Sequence, residues 1–236
     1  MTDAVKKKIV KWFWLLFTLP IVMVCGLIAL VWAFADIPSF EELENPDSKL
    51  ATQVIAEDGE ILTTFHIENR SYVTFGELSQ NLVNAAVATE DVRFYEHSGI
   101  DGKSLLRVII KSVILQQENS GGGSTITQQL AKLIYSGTSG SILDRIYQKP
   151  NEWVIAVNLE QRYTKNEILT MYLNEYDFGY NAIGLVSAAK IYFGIHPSQL
   201  SIEESAMLVG MCKNSSLFNP RRRPDMTRDR RNVVFS

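Results

Sequence analysis

Residues 88 to 101 read ATEDVRFYEHSGID. An apolar run (Leu82, Val83, Ala85, Ala86, Val87, Ala88) ends there in Glu90-Asp91, followed by Phe94, Tyr95, His97 and Gly99. A helix carried past Glu90 would hold Phe94 and His97 over the same face, four and seven residues on. A carboxylate at the edge of a buried face is partly desolvated, which suits it to accept and pass a proton. A helix-end carboxylate in open solvent is the plainer alternative, and taken alone Glu90 fits both.

A second group lies in GGGSTITQQLAK, residues 121–132. Glycines let a backbone approach a ligand, and Ser124 or Thr125 can cap the helix that follows, Thr125 in a Thr-x-x-Gln box with Gln128. Free N–H groups at such a helix start would form an anion site. Gln129 and Lys132, three apart, would project from one side of it. The Gly-Lys-Ser/Thr of a P-loop is missing. A third group is DRIYQKPNEW, residues 144–153, where Arg145 and Lys149 stand one helical turn apart and Glu152 follows Lys149 by three. Two cations and a second carboxylate could share a face there, or form a solvated ion pair. Ser187-Ala-Ala-Lys190 fits the Ser-x-x-Lys pattern of acyl-enzyme hydrolases. No Ser-Asp-Asn or Lys-Thr-Gly accompanies it, and it sits in an ordinary apolar helix, so no nucleophile is assigned to it.

The elements that must carry these groups are mostly helical. ELSQNLVNAAVATED and GKSLLRVIIKSVILQQ form the first two helices, with a Gly/Ser linker before TITQQLAKLIY. PNEWVIAVNLEQRY begins with Pro150 at a first helical turn. Capping boxes start the next helices at Thr164-x-x-Glu167 and Ser201-x-x-Glu204. Ahead of them, TQVIAEDGEILTTFHI alternates around Asp58-Gly59, a hairpin signal. The 236 residues, 46% hydrophobic, suffice for one ordinary domain plus an extra element, and a net charge of −3 gives no case for nucleic acid. His66, His97 and His196 lie far apart and no Cys/His cluster has zinc spacing, so no structural metal is expected.

The extra element is Trp12 to Phe34, which carries no charge. As a helix it would be roughly 34 Å long, enough for a hydrocarbon core of about 30 Å. Trp12, Trp14 and Trp32 sit near its ends, Lys6, Lys7, Lys8 and Lys11 precede it, and Asp36, Glu41, Glu42 and Glu44 follow. The lysine bias sets the N-terminus in the cytoplasm and everything after residue 35 outside. AFA at 33–35 resembles a signal-peptidase site, but the apolar run exceeds the ~7–15 residues of a signal peptide, so a retained anchor is expected. Cys25 lies inside that run, so Cys25 and Cys212 are not expected to pair. The apolar stretch Leu105–Leu115 is either core or a surface against the bilayer.

Taken in order, these segments resemble the peptidoglycan glycosyltransferase (transglycosylase) domain of class A penicillin-binding proteins. EDVRFYEHSG matches that family's Glu-Asp-x-x-Phe-x-x-His-x-Gly block, GGSTITQQLAK its second, QKPNE its third (usually Arg-Lys-x-x-Glu), KNEILTMYLNEYDFG its fourth and RRNVVF its fifth. The departures are Gln148 in place of Arg, Leu133 in place of Asn, and a longer stretch between Lys132 and Lys149. The resemblance implies a mainly α-helical, lysozyme-like domain with a small β-hairpin, preceded by one transmembrane helix. The boundaries expected are a basic cytoplasmic tail over 1–11, the membrane helix over 12–35, a tether over 36–50 and the glycosyltransferase domain over 51–236. Leu105–Leu115 would fall in or near the family's membrane-embedded jaw.

It also implies the reaction, in which lipid II is polymerised into β-1,4 glycan strands with inversion and release of polyprenyl pyrophosphate. Glu90 would be the base for the attacking sugar hydroxyl, with Glu152 the family's second acidic residue. Ser124, Thr125, Gln129, Lys132, Arg145 and Lys149 would hold substrate or pyrophosphate. Asp91 and His97 would brace the helix end, and Phe94 would pack. No cofactor is required by the resemblance, though a divalent cation (Mg or Mn) could assist at the pyrophosphate. Partners would be lipid II, the nascent strand, the bilayer of the bacterial inner membrane and cell-wall synthesis proteins, with the catalytic domain on the periplasmic face. A lysozyme-type glycan hydrolase and a non-enzymatic membrane-anchored scaffold are the rival readings. A hydrolase must protonate a sugar alkoxide and gains nothing from cations clustered near its acid. Without Lys-Thr-Gly, transpeptidase chemistry is not expected within these residues.

Overall fold

The computed structural model describes residues 3–34, 52–55, 61–65, 72–111, 122–135 and 142–235. Much of α1, both strands, Ile109 and residues 142–147 are described in backbone only. The expected tether, the Asp58-Gly59 turn, residues 112–121 and the stretch 136–141 lie outside the described residues.

A 32-residue helix, α1, runs from Asp3 to Phe34. The lysines at 6–11 stand on the same helix as the apolar run, so no break in secondary structure marks the expected boundary at residue 12. From Trp12 to Leu19 its large apolar side chains are all exposed. Over the residues whose side chains are described, which leave out much of the second half of α1, no helix is long and apolar enough to cross a membrane. Two strands, β1 (Thr52–Ile55) and β2 (Ile61–Phe65), pair antiparallel with Thr52 opposite Phe65.

The rest is helical: α2 (Gln80–Glu90), α3 (Gly102–Ile109), α4 (Ile126–Tyr135), α5 (Ile142–Arg162), α6 (Lys165–Glu175), α7 (Gly184–Phe193), α8 (Ile202–Cys212) and α9 (Pro224–Phe235). Their apolar residues recur at three- and four-residue spacing and meet in one core. Leu82, Val83 and Ala86 of α2, Ile126 and Leu130 of α4, Ile155 and Leu159 of α5, and Ile168, Leu169, Tyr172 and Leu173 of α6 are all in it. Each buried Leu, Ile or Val among them contributes about 1.5–3 kcal/mol by leaving water. Helices α4 and α6 pack together, as do α2 and α8, and α9 lies along α8 and touches α2. Those four contacts set the second sequence block beside the fourth and the first beside the fifth, and hydrogen bonds from Gln129 to Glu90 and from Ile126 to Asp91 join the two sets.

Local signals set most of the helix starts. Thr164 and Ser201 cap α6 and α8 through the expected boxes with Glu167 and Glu204. Ser79 caps α2, its hydroxyl accepting from the Leu82 N–H at 3.2 Å. Two expectations change. Pro150 does not open a helix but sits buried inside α5, which begins at Ile142. Proline withholds the N–H that would pair with the carbonyl of Ile146, and the surrounding turns carry the helix through. Helix α2 likewise does not continue to His97. It stops at Glu90, because Asp91 leaves the helical region (φ −158°, ψ 78°), and Phe94–Glu96 form a separate 3₁₀ turn.

Gly99 fixes how the segment after that turn crosses α5. Its φ is +90°, and a Cβ there would lie 2.9 Å from the backbone carbon and oxygen of Ala156. No side chain fits that crossing.

Candidate active site

Glu90 is the last residue of α2, so its side chain projects where the helix ends and a cleft begins. Its side chain is 12% exposed. The cleft beside it, about 530 Å³, is walled by Arg93, Asp101, Arg107, Gly123, Gln129, Lys213 and Arg230, among others. Gln129, on the first turn of α4, donates its Nε2 hydrogen to Glu90 Oε2 at 3.0 Å. The Arg230 guanidinium, from α9, stands 3.9 Å from Glu90 Oε1, too far for a hydrogen bond but close enough for charge to be felt. Arg230 is itself held by the Gly210 carbonyl at 3.4 Å and lies 5.9 Å from the Phe218 ring.

A second cavity, about 380 Å³, contains Lys132, Lys149, Glu152, Tyr172 and Lys213. Ser124, Gln129 and Lys213 line both cavities, so the two adjoin. Lys149 is half-exposed, forms a short ion pair with the buried Glu152, and reaches Ser124 Oγ at 3.4 Å. Lys132 is exposed and has no ion-pair partner among the described residues. Arg145 is on α5, but its side chain lies outside the described residues.

The helix start at Thr125 needs a correction. Thr125 and Gln128 do form the expected box, with Gln128 N–H to Thr125 Oγ1 at 3.1 Å and Thr125 N–H to Gln128 Oε1 at 3.4 Å. But the Ile126 N–H donates to Asp91 Oδ2 at 3.1 Å. Thr125 is 2% exposed and gives its hydroxyl hydrogen to the Gly99 carbonyl at 2.6 Å. These amides and this hydroxyl are spent inside the protein and are not free for an anion. Positive charge in the second cavity comes from side chains instead.

Asp91 is the brace between the blocks. One oxygen takes the Ile126 N–H and also His97 Nε2, at 2.9 Å. Phe94 is fully buried, and the Lys165 ammonium lies 4.5 Å from its ring centre. Asp101 caps α3, accepting from the Lys103 and Ser104 N–H groups, and pairs with Arg93 at 2.6 Å. Burial pushes the Asp101 carboxyl up, but the Arg93 and Ser104 hydrogen bonds and the Arg93 charge outweigh that and hold it well below the usual carboxylate range. Arg93 is thereby committed to structure. Ser187 is buried and Lys190 exposed on α7, far from this arrangement in sequence and outside both cavity walls.

Among the wall residues that sequence reasoning missed are Lys213, Tyr172 and Arg230. Lys213 follows the end of α8 with no motif around it. Tyr172 is one core position among several on α6. Arg230 was inside the fifth block, but nothing local tied it to Glu90, which is 140 positions earlier. Among the described residues no three His, Cys, Asp or Glu side chains are grouped to hold a metal ion.

Residues 58–236 match a family model described as Transglycosylase. Penicillin-binding protein 1A of Escherichia coli (strain K12) is 35% identical over 231 residues, 97% of this chain and 27% of that protein. Penicillin-binding protein 1F of Bacillus subtilis (strain 168) is 36% identical over 185 residues, 78% of this chain and 25% of that protein. A crystal structure of penicillin-binding protein 1A from Haemophilus influenzae aligns with a TM-score of 0.40 at 22% identity, covering 78% of this chain and 17% of that one. The chain spans about a quarter of the length of the curated relatives it matches.

Proposed function

The chain belongs to the transglycosylase family of the class A penicillin-binding proteins, and on that premise we propose that it polymerises lipid II into the β-1,4 glycan strands of peptidoglycan. One sugar hydroxyl attacks the anomeric carbon of a second unit on the face opposite its pyrophosphate. The new C–O bond forms as the bond to pyrophosphate breaks, so an α-linked donor gives a β-linked product. The hydroxyl proton passes to Glu90, because a sugar alcohol is hardly ionised near neutral pH. The departing polyprenyl pyrophosphate is a stable anion and needs no proton. It needs fixed positive charge, which Lys132, Lys149 and Lys213 supply, with Arg145 adding to it. Glu152 holds the Lys149 ammonium in place. The protein requires no resident cofactor in this scheme, and a Mg or Mn ion could accompany the pyrophosphate.

One observation carries the proposal. A carboxylate fixed by a single amide donor faces a cleft that adjoins a lysine-lined compartment, and so separates the place for a proton from the place for a diphosphate. A hydrolase would have no use for the second compartment. The mainly helical fold is consistent with a lysozyme-like catalytic domain.

The same proposal puts α1 across the bacterial inner membrane, with its lysine-rich start in the cytoplasm and the catalytic domain on the periplasmic face. Support comes from the uncharged run of residues 12–34 and from the exposed apolar side chains between Trp12 and Leu19, which water does not tolerate as a continuous surface. A lipid-linked substrate, a growing strand and other wall-synthesis proteins are then the natural partners. The test is incubation of the full chain in detergent with lipid II, and separately with preformed sacculi. Polymer from the first supports the proposal, and fragments from the second would replace it with the hydrolase reading.

A further inference from the structure

Behind Glu90 the polar contacts run inward. Gln129 gives its Nε2 hydrogen to Glu90 Oε2 at 3.0 Å and takes one at Oε1 from the Tyr172 hydroxyl at 3.1 Å. Tyr172 is 0% exposed, on α6, with its ring 5.9 Å from that of Tyr176. A carboxamide can present either its nitrogen or its oxygen to a neighbour, and only its partners decide which. An ionised carboxylate accepts and never donates. Glu90 therefore selects the amide orientation that presents Nε2 to it, with Oε1 facing inward. Reversed, Gln129 would set its carbonyl oxygen against the Glu90 carboxylate with no hydrogen between them.

The Tyr172 hydroxyl can donate or accept, and in this orientation it donates to Oε1 and pins the inner end of the amide. We propose that Tyr172 is a positioning residue whose buried hydroxyl anchors the Gln129 amide and thereby aims the Glu90 carboxylate into the cleft. Burial first, with the nearby Glu90 charge adding to it, pushes the Tyr172 phenol well above its ordinary value. Its hydrogen is thus present throughout the working pH range. Glu90 has another partner within reach if released, since the Arg230 guanidinium is 3.9 Å from Oε1. Closing that gap would turn the base toward α9 and bury its lone pairs in an ion pair.

The role rests on the polymerase reading of the site, and the test keeps the two apart. The 236-residue chain in detergent micelles is assayed for lipid II polymerisation as Tyr172→Phe, Gln129→Met and the double variant. Tyr172→Phe should lower kcat by about 10- to 100-fold while KM for lipid II stays within about two-fold, since orientation of the base and not substrate binding is lost. A tyrosine that served only the core would lower the melting temperature and leave the kcat of the folded fraction intact. Because Tyr172 acts through Gln129, the double variant should be no slower than Gln129→Met. Wild-type kcat in Tyr172→Phe, or independent losses that multiply in the double variant, would overturn the role. If Tyr172→Phe does not fold, Gln129→Met decides alone, a partly exposed position: unchanged kcat overturns the role and a ten-fold or larger fall upholds it. Wild-type protein that makes no polymer sinks the polymerase reading itself, whereas active wild type with active Tyr172→Phe sinks only the tyrosine.

Discussion

Asp91 joins three pieces of the site, and removing its carboxylate should loosen all three. Its Oδ2 accepts from the Ile126 N–H at 3.1 Å and from His97 Nε2 at 2.9 Å, and the residue is 7% exposed. Its own N–H donates to the Val87 carbonyl, a contact that alanine would keep. Asp91→Ala therefore strips two hydrogen bonds to a charged group, each about 1.5–3 kcal/mol, and leaves two buried donors without an acceptor. Allowing for partial relaxation, the loss is about 3–5 kcal/mol, a large share of the 5–15 kcal/mol typical of a whole domain. At about 2–4 °C per kcal/mol for a chain of this size, the melting temperature should fall by roughly 6–20 °C. Circular dichroism of the detergent-solubilised protein reads it directly. Asp91→Asn keeps an acceptor oxygen and should lose roughly half as much. An Asp91→Ala protein melting within about 2 °C of wild type would refute the bracing role, and with it the reason α2 and α4 hold Glu90 against Gln129.

Three other outcomes follow from single contacts. Gly99→Ala must force a Cβ against the Ala156 backbone at a φ of +90°, so we expect a loss of about 2–4 kcal/mol, read as a lower urea midpoint at constant m. Asp101 is held below its unfolded value of about 3.9, so it stabilises the fold above about pH 4 and that contribution fades as pH falls toward its folded value. Asp101→Asn should therefore melt lower at pH 7 and show a flatter acid limb below about pH 4; an unchanged limb would discount the Arg93 pair. Lys149→Met removes the cation from a buried Glu152, and kcat/KM for lipid II should drop roughly 10- to 100-fold, with full activity counting against a pyrophosphate site there.

What the sequence revealed and what it hid divide by distance along the chain. Capping boxes at Thr164, Ser201 and Thr125 span three residues each, and all three form. The same local rule misjudged Pro150, because a proline marks a helix start only when the preceding turn is not already helical. Of the amides expected to be free after Ser124, that of Ile126 is taken for a long-range reason: its acceptor, Asp91, is 35 residues away. Gln129 was expected to hold substrate, and the structure joins it to Glu90 across 39 residues and to Tyr172 across 43. Tyr172 looked like any other apolar position on α6, since periodicity reports that a ring is buried and says nothing of where its hydroxyl points. Arg230 and Lys213 reach the cleft only because α8 and α9 fold back beside α2. Block order identified the family, but only the packing showed which side chain touches which.

The most direct measurement is lipid II polymerisation by the full chain, wild type against Glu90→Gln, with the melting temperature of each recorded. We expect polymer from wild type, a loss of at least about 100-fold in Glu90→Gln as befits a missing general base, and melting temperatures within about 2 °C. Polymer formed at wild-type rate by the folded Glu90→Gln protein would contradict the central claim that this one carboxylate takes the proton.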